Sequence, residues 1–369
     1  MEEKTWWIPF DDMEQFMREA FEAVGVPPED AAVSADVLIT SDKRGIDSHG
    51  VSRMKPFYID RIREGIQMPV TNFEVVKETE TTAVVDGHNG MGHVIAKRSM
   101  QMAIDKAKKY GLGMVAVRNS THYGIAGYYP MMAASQGCIG LTGTNARPAI
   151  APTFSVENML GTNPLTAACP TDEDFPFVLD CATSISQRGK VEVYARRGQT
   201  MPAGWVIGEH GETLTDPAQT LKDLLAGKAA MTPLGGPGED LSGYKGYGYA
   251  TLVEILSAAL QDGNYLKGIS GKDEHGNKAP YRLGHWFLAI DVEHFIPLPL
   301  FKAIAGSICR QLRAAKKAPG HDRIWTAGEK EHDAWAYRKD KGVPFNASLV
   351  AEFNALRAEL GLKHRFPWD

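Results

Sequence analysis

The chain has no long apolar run: no hydrophobic stretch reaches the roughly 20 residues a helix needs to cross a bilayer. Cysteine is scarce, with Cys138, Cys169, Cys181 and Cys309 the only four in 369 residues. None stands at metal-ligand spacing from another, which excludes a zinc ribbon or a disulfide framework. Buried free thiols in a reducing cytosol are the expectation. The formal net charge is only −5, so no excess positive charge is available for nucleic acid or an anionic membrane surface. Met1-Glu2-Glu3-Lys4-Thr5-Trp6-Trp7 is acidic and polar, unlike the basic start and apolar follow-on of a secretory leader. Internal repeats and low-complexity tracts are missing. So is the G-x-G-x-x-G dinucleotide fingerprint. Gly87-His88-Asn89-Gly90-Met91-Gly92 has the wrong spacing and reads better as a bend that lets a helix pack closely on a strand.

What remains is an ordinary globular composition, 43% hydrophobic and 23% charged, in a chain longer than one compact core usually holds. Two or three domains are expected. Periodicity predicts helices over 11–24, 29–41, 51–64, 94–110, 125–136, 188–197, 216–225, 250–260, 300–317 and 347–360. Strands are predicted over 73–77, 81–86, 114–117, 139–142, 165–168, 177–180 and 285–290, and loops over 201–211 and 324–331. In the third helix Val51, Met54, Tyr58 and Ile62 fall at helical spacing and should face a core.

Two loops carry the chemistry. Asp47-Ser48-His49-Gly50-Val51-Ser52-Arg53 crowds a hydroxyl, an imidazole and a guanidinium into one turn. Arg53 stands in the first turn of a helix, where the backbone dipole disfavours a cation and free amides favour an anion. A guanidinium there grips a carboxylate bidentately. Equally, Arg53 could pair with Asp47, Asp30 or Asp36. The second loop, Asn119-Ser120-Thr121-His122-Tyr123-Gly124, places His122 after a strand and ahead of a helix. A helix N-terminus lowers an imidazole pKa and favours the neutral form a general base needs. Downstream, Cys181-Ala182-Thr183-Ser184 is a small-residue turn whose hydroxyls suit phosphate or ribose. Lys245 stands among glycines at a helix start, where it could meet a phosphate or carboxylate or be a solvated loop lysine.

Several motifs in one order carry a resemblance: Arg44 to Gly50, Asn119 to Tyr128, Gly161-Thr162-Asn163-Pro164, Asp180 to Ser184, Lys245-Gly246-Tyr247-Gly248 and Gly328-Glu329. Over about residues 10–360 the chain resembles the malate/L-lactate dehydrogenase family that is unrelated to the Rossmann-type malate and lactate enzymes. Glu192 to Gly204, Ile290 to Pro297 and Arg323-Ile324-Trp325 look most like its archaeal-type malate dehydrogenases. The resemblance implies an α/β fold with a non-Rossmann nicotinamide-binding domain on a large mixed β-sheet. A helical domain would come from the terminal segments, residues 1–72 plus 300–369. The sheet domain would span 73–299, with an inserted helical subregion around 185–230. It also implies a homodimer and NAD or NADP as cofactor. Asn145 is followed by Ala146 where the family usually has serine, Ala327 replaces a common proline, and Cys181 stands where methionine is common. These departures bear on cofactor affinity and preference more than on proton transfer.

The expected reaction is reversible hydride transfer between the cofactor and a small 2-hydroxy acid, malate/oxaloacetate first. The alternatives are lactate, sulfolactate, ureidoglycolate, diketogulonate and a cyclic imino acid. Arg53 would hold the 1-carboxylate, and His122 or His49 would move the proton, with His122 the slightly better placed. Ser48 and Tyr58 would be further substrate contacts. The cofactor set is Asn145, Asp180, Thr183, Ser184, Arg188, Lys245, Gly246, His285, Gly328 and Glu329. Arg188 either meets a 2′-phosphate or is a surface arginine. A metal-dependent hydrolase using His88, His93 and His122 is a rival, weakened by poor ligand spacing. A non-catalytic binding protein on the same scaffold is another, weakened by the intact His49, Arg53, His122 and Lys245.

Overall fold

The computed structural model describes residues 4–369, so the first three residues of the N-terminal stretch lie outside the described part. The chain begins with strand β1 (Trp6–Ile8), helix α1 (Phe10–Ala23) and helix α2 (Pro28–Lys43). α1 buries Met13, Phe16, Met17, Ala20 and Phe21 along one side, as its amphipathic spacing requires. Asp11 and Asp12 lie in its first turn, but no side chain caps it.

The third predicted helix is broken. Val51–Arg53 is a 3-10 turn, Lys55–Ile59 a single π turn, and only α3 (Asp60–Arg63) is regular. Pro56 is the cause, because it has no N–H to give the preceding turn and its ring crowds the carbonyl behind it. Val51, Met54 and Tyr58 are nonetheless buried, with Ile62 packed against them.

A seven-stranded sheet follows. Its strands are β2 (Glu74–Glu78), β3 (Thr82–Asp86), β4 (Leu112–Ser120), β5 (Cys138–Thr144), β6 (Leu165–Cys169), β7 (Phe177–Cys181) and β10 (Leu283–Asp291). Their order is β2-β3-β4-β10-β5-β6-β7. Only β3 and β4 run parallel, so the sheet is mixed, with antiparallel pairs elsewhere. Helices α4 (Gly92–Tyr110) and α5 (Tyr128–Ser135) cover it, closing a core of Val85, Ile95, Met100, Val115, Val117, Tyr129 and Phe287. The strand β3 → α4 → β4 passage is the predicted close packing. A Cβ on Gly92 would fall 2.4 Å from the His122 carbonyl oxygen and 2.5 Å from that of Thr121, so only glycine lets α4 start there.

Helix α6 (Arg188–Arg197), strand β8 (Val206–Gly208), helix α7 (Pro217–Ala226) and strand β9 (Ala229–Met231) make a small excursion around Val191, Met201, Val206 and Met231. Helix α8 (Gly243–Ala258) starts seven residues earlier than expected. The glycines did not mark a loop before it: Gly246 lies inside the helix against the Leu234 backbone. After β10 come α9 (Leu298–Arg313), α10 (Glu329–Arg338), β11 (Val343–Phe345) and α11 (Ala347–Leu360). α10 lies partly in the stretch read as loop. β1 and β11 pair antiparallel, joining the two ends of the chain. Phe345, Phe353, Leu356 and Phe366 enter the same core as α1 and α2, so helices from both terminal regions flank the sheet.

All four thiols are free, but they are not all buried. Cys138 and Cys309 are, whereas Cys181 is exposed at the end of β7, where the strand runs out into a cleft. Among the described residues no helix is long and apolar enough to cross a membrane.

Candidate active site

Strand ends meet at one edge of the sheet. β4 stops two residues before His122, β5 stops next to Asn145, β7 ends just past Asp180, and β10 begins at Leu283. β10 draws them together by pairing with both neighbours: Leu283 sits opposite Ser120, and His285 lies opposite Val117 on one side and Thr144 on the other. A cavity of about 270 Å³ opens there. Ser48, His49, His122, Asn145 and Asp180 line it, as do Thr162, Pro164, Cys181, Gln187, Leu283 and Glu331.

His122 is oriented from behind. Its Nδ1 lies 2.5 Å from Tyr58 Oη and 3.3 Å from the Gly124 N–H. Among the described residues Nε2 has no hydrogen-bond partner, and the ring lines the cavity. Burial holds the His122 pKa well below 6.5, and His49 and Arg61 depress it further. Burial also raises the Tyr58 pKa, keeping it a hydroxyl that can donate to or accept from either imidazole tautomer. The expected helix-end effect is not the cause. α5 starts at Tyr128, and the amide of its Gly127 cap points at Asp180 Oδ2 at 2.8 Å. Desolvation does what the helix field was expected to do.

His49 stacks nearly parallel on His122, with ring centroids 5.9 Å apart. Its Nδ1 lies 2.9 Å from Ser48 Oγ. Burial first, and then the Arg53 charge, bring its pKa down to about 4. Both rings are neutral at pH 7.

The ambiguity over Arg53 resolves by elimination. Asp47 is held by both terminal nitrogens of Arg338, Asp30 by Arg98 at 2.8 Å, and Asp36 by Lys97 at 3.3 Å and Tyr128 Oη. Arg53 Nε donates to the Ser48 carbonyl at 2.5 Å, and its guanidinium lies over the Phe57 ring at 5.1 Å. Among the described residues no carboxylate comes within 4.0 Å of it. Arg53 lines an adjoining cleft with Ser48, Gln187 and Glu352, not the 270 Å³ cavity itself, and a guanidinium unpaired within 4.0 Å there suits an anionic substrate.

The sequence-based cofactor set divides. Asn145 and Asp180 are on the cavity wall; the others are not. Asn145 accepts from the Gly284 N–H at 2.8 Å and donates to the Asn264 carbonyl at 3.1 Å, which ties β5 to β10. Thr183 Oγ1 donates to backbone carbonyls of the Gly161–Pro164 stretch, and Ser184 Oγ to that of Ser186. Arg188 is exposed and pairs with Glu192 at 3.1 Å, a surface arginine here. Lys245 is exposed on α8, its ammonium 5.8 Å from the Tyr244 ring centroid, and Gly246 is buried by helix packing. His285 is fully buried inside β10, its ring stacked on Tyr123 at 4.5 Å and its Nδ1 2.7 Å from Thr144 Oγ1. Gly328 packs on the β7 backbone at φ +95°. Glu329 is buried, bonded to Arg323 and to the Thr326 N–H. Thr183, Ser184, Arg188, His285 and Glu329 are thus bonded within the chain, whereas Lys245 is exposed, and pairing between distant segments leaves no mark in the sequence. Gln187, Thr162 and Glu331 were missed as lining residues. Thr162 lay within a motif already singled out; Glu331 carried no signal, because its helix was not foreseen.

The lining fits a nicotinamide. Pro164, Ile125, Ala126 and Leu283 supply apolar surface for a flat ring, and Asp180 and Thr162 supply partners for its amide. The three histidines of the rival metal site do not converge on one point. His88 Nε2 lies 2.6 Å from Glu74, whereas His93 is buried against the Tyr58 ring.

Comparison with known proteins gives the same direction. Residues 8–354 match the family described as malate/L-lactate dehydrogenase. A malate dehydrogenase of Pyrococcus horikoshii is 41% identical over 356 residues, 96% of each chain. An L-sulfolactate dehydrogenase of Methanocaldococcus jannaschii is 37% identical, covering 92% of each. The crystal structure of a malate dehydrogenase from Entamoeba histolytica superposes with a TM-score of 0.94 at 44% identity, over 99% of this chain and 100% of that one. With identity running through both the sheet and the terminal helices, the chain belongs to the malate/L-lactate dehydrogenase family.

Proposed function

We propose that the protein is an NAD(P)-dependent dehydrogenase that interconverts malate and oxaloacetate. The observation that carries this reading is the Tyr58–His122 pair beside Arg53, a guanidinium that no acid of the described chain occupies. Arg53 binds the 1-carboxylate. His122 Nε2 takes the C2 hydroxyl proton in oxidation and returns it in reduction, while Tyr58 Oη holds the ring at Nδ1. An anion held beside the ring offsets the cationic field and raises the His122 pKa, which favours proton uptake once substrate is bound. His49, anchored by Ser48, hydrogen-bonds the acid and shields it from water. Asn145 and Asp180 would be among the residues that hold a bound nicotinamide, which would supply the hydride exchange with the substrate C2.

The test is oxidation of NADH and of NADPH with oxaloacetate, pyruvate, sulfopyruvate, diketogulonate and a cyclic imine. Fastest turnover is expected with oxaloacetate. Turnover only with another acid moves the substrate but keeps the mechanism; no binding of reduced nicotinamide sinks the reading.

The domain division at residues 1–72 plus 300–369 against 73–299 is proposed with it, supported by the core that β1, α1, β11 and α11 share. A homodimer is proposed too. Two helix faces expose apolar side chains: Tyr249, Leu252 and Ile255 on α8, and Leu300, Ile304, Ile308 and Leu312, four apart along α9. Free thiols throughout suit a reducing, cytoplasmic setting.

A further inference from the structure

Malate differs from lactate by a second carboxylate, and Arg53 accounts for only one. A second cation lies against Phe57. That ring meets His122 edge-on at 5.0 Å and carries two guanidiniums, Arg53 at 5.1 Å and Arg61 at 4.5 Å from its centroid. Arg61 is half-buried and also lies over the Tyr281 ring at 4.3 Å, so two aromatic faces hold it in place. Its acidic neighbours are engaged elsewhere: Asp60 pairs with Lys55 at 2.6 Å and Glu64 with Lys278 at 2.5 Å. Among the described residues no carboxylate comes within 4.0 Å of Arg61.

We propose that Arg61 is the residue that selects a dicarboxylic 2-hydroxy acid, binding the carboxylate distal to the reacting carbon while Arg53 binds the proximal one. The Phe57 ring is the spacer. It fixes both guanidiniums beside His122 without neutralising either. Burial lowers the Arg61 pKa; Tyr281, Tyr58 and Glu64 offset part of that, and the Arg147 cation adds to it. An unpaired, desolvated guanidinium is costly when the substrate brings no charge to meet it. A monocarboxylic acid such as pyruvate should therefore be discriminated against, and a sulfonate in the distal position should be accepted in the same way.

This inference rests on the dehydrogenase reading and is tested separately from it. The readout is the ratio of kcat/KM for oxaloacetate to kcat/KM for pyruvate, in wild type and in Arg61→Met, whose apolar stem still fills the space between Phe57 and Tyr281. The ratio should fall about 100-fold, the size of a lost charge-assisted contact. An equal loss on both substrates, leaving the ratio unchanged, would show that Arg61 only supports the fold and overturns the assignment. Should Arg61→Met not fold, Arg61→Lys supplies the second measurement. It keeps the charge but not the fork, and a drop of about 10-fold in the ratio is expected; a wild-type ratio overturns the proposal. Wild-type turnover of neither acid would overturn this assignment together with the malate reading, whereas the dehydrogenase reading itself falls only if reduced nicotinamide does not bind.

Discussion

At the scale of single residues the site is governed by desolvation. His122 and His49 are both pushed toward the neutral form, His49 to about 4. For an exposed histidine base, kcat/KM for malate oxidation would fall below about pH 6.5. Here it should stay level to well below about pH 6.5, and a midpoint near 6.5 would mean that neither ring is the base. Tyr58→Phe removes the partner of His122 Nδ1. A fall in kcat of about 100-fold is expected with little change in KM, measured by steady-state kinetics. His93 and His285 bear on stability. Both are fully buried, with pKa values lowered by burial to about 3. Between about pH 6.5 and 3 the unfolded chain protonates these rings and the folded chain does not. Stability is therefore lost as pH falls through this window, by roughly 1.4 kcal/mol per histidine per pH unit. Urea unfolding at pH 7 and pH 5 measures the slope, and His93→Leu should make it shallower.

At the scale of elements, the decisive contact is between the start of α4 and the loop after β4. Gly92 is where a helix N-terminus touches the backbone that carries His122. Gly92→Ala should displace that loop, destabilise the protein by about 1–3 kcal/mol and lower kcat, read by thermal melts and kinetics on the same sample. Unchanged activity would mean that the helix start does not set the position of His122. Long periodic elements were legible in the sequence: α11 has the expected bounds, α6 likewise, and the sheet strands differ mainly at their ends. Elements below the length of one period were not. β1, β8, β9 and β11 have three residues each, and three residues carry no alternation to read. The broken third helix was hidden differently. Its buried positions kept helical spacing, and Pro56 alone signalled the fault that turns Tyr58 toward His122.

At the scale of the whole molecule, the chain is held together by its ends. β1 pairs with β11, and Arg338 of α10 clasps Asp47 in the loop that presents His49. The terminal helices therefore position the active-site loop. Two apolar helix faces remain uncovered in the single chain. Leu252→Glu with Ile255→Glu on α8, or Ile304→Glu with Ile308→Glu on α9, is expected to convert the dimer to monomer in light scattering. A wild type that is monomeric at micromolar concentration would remove the dimer proposal.

The sequence by itself determined the class of the fold, the two loops that carry the chemistry and the family, because these are written in local periodicity and in motifs a few residues long. The pairing of Tyr58 with His122, the freedom of Arg53 and the placing of Arg61 beside it were decided by the tertiary structure alone. So was the withdrawal of His285, Thr183 and Glu329 into internal bonds. The physical reason is the same in each case. Whether a polar group is available depends on which distant group satisfies it and on how much water reaches it, and both are settled only when the strand ends meet.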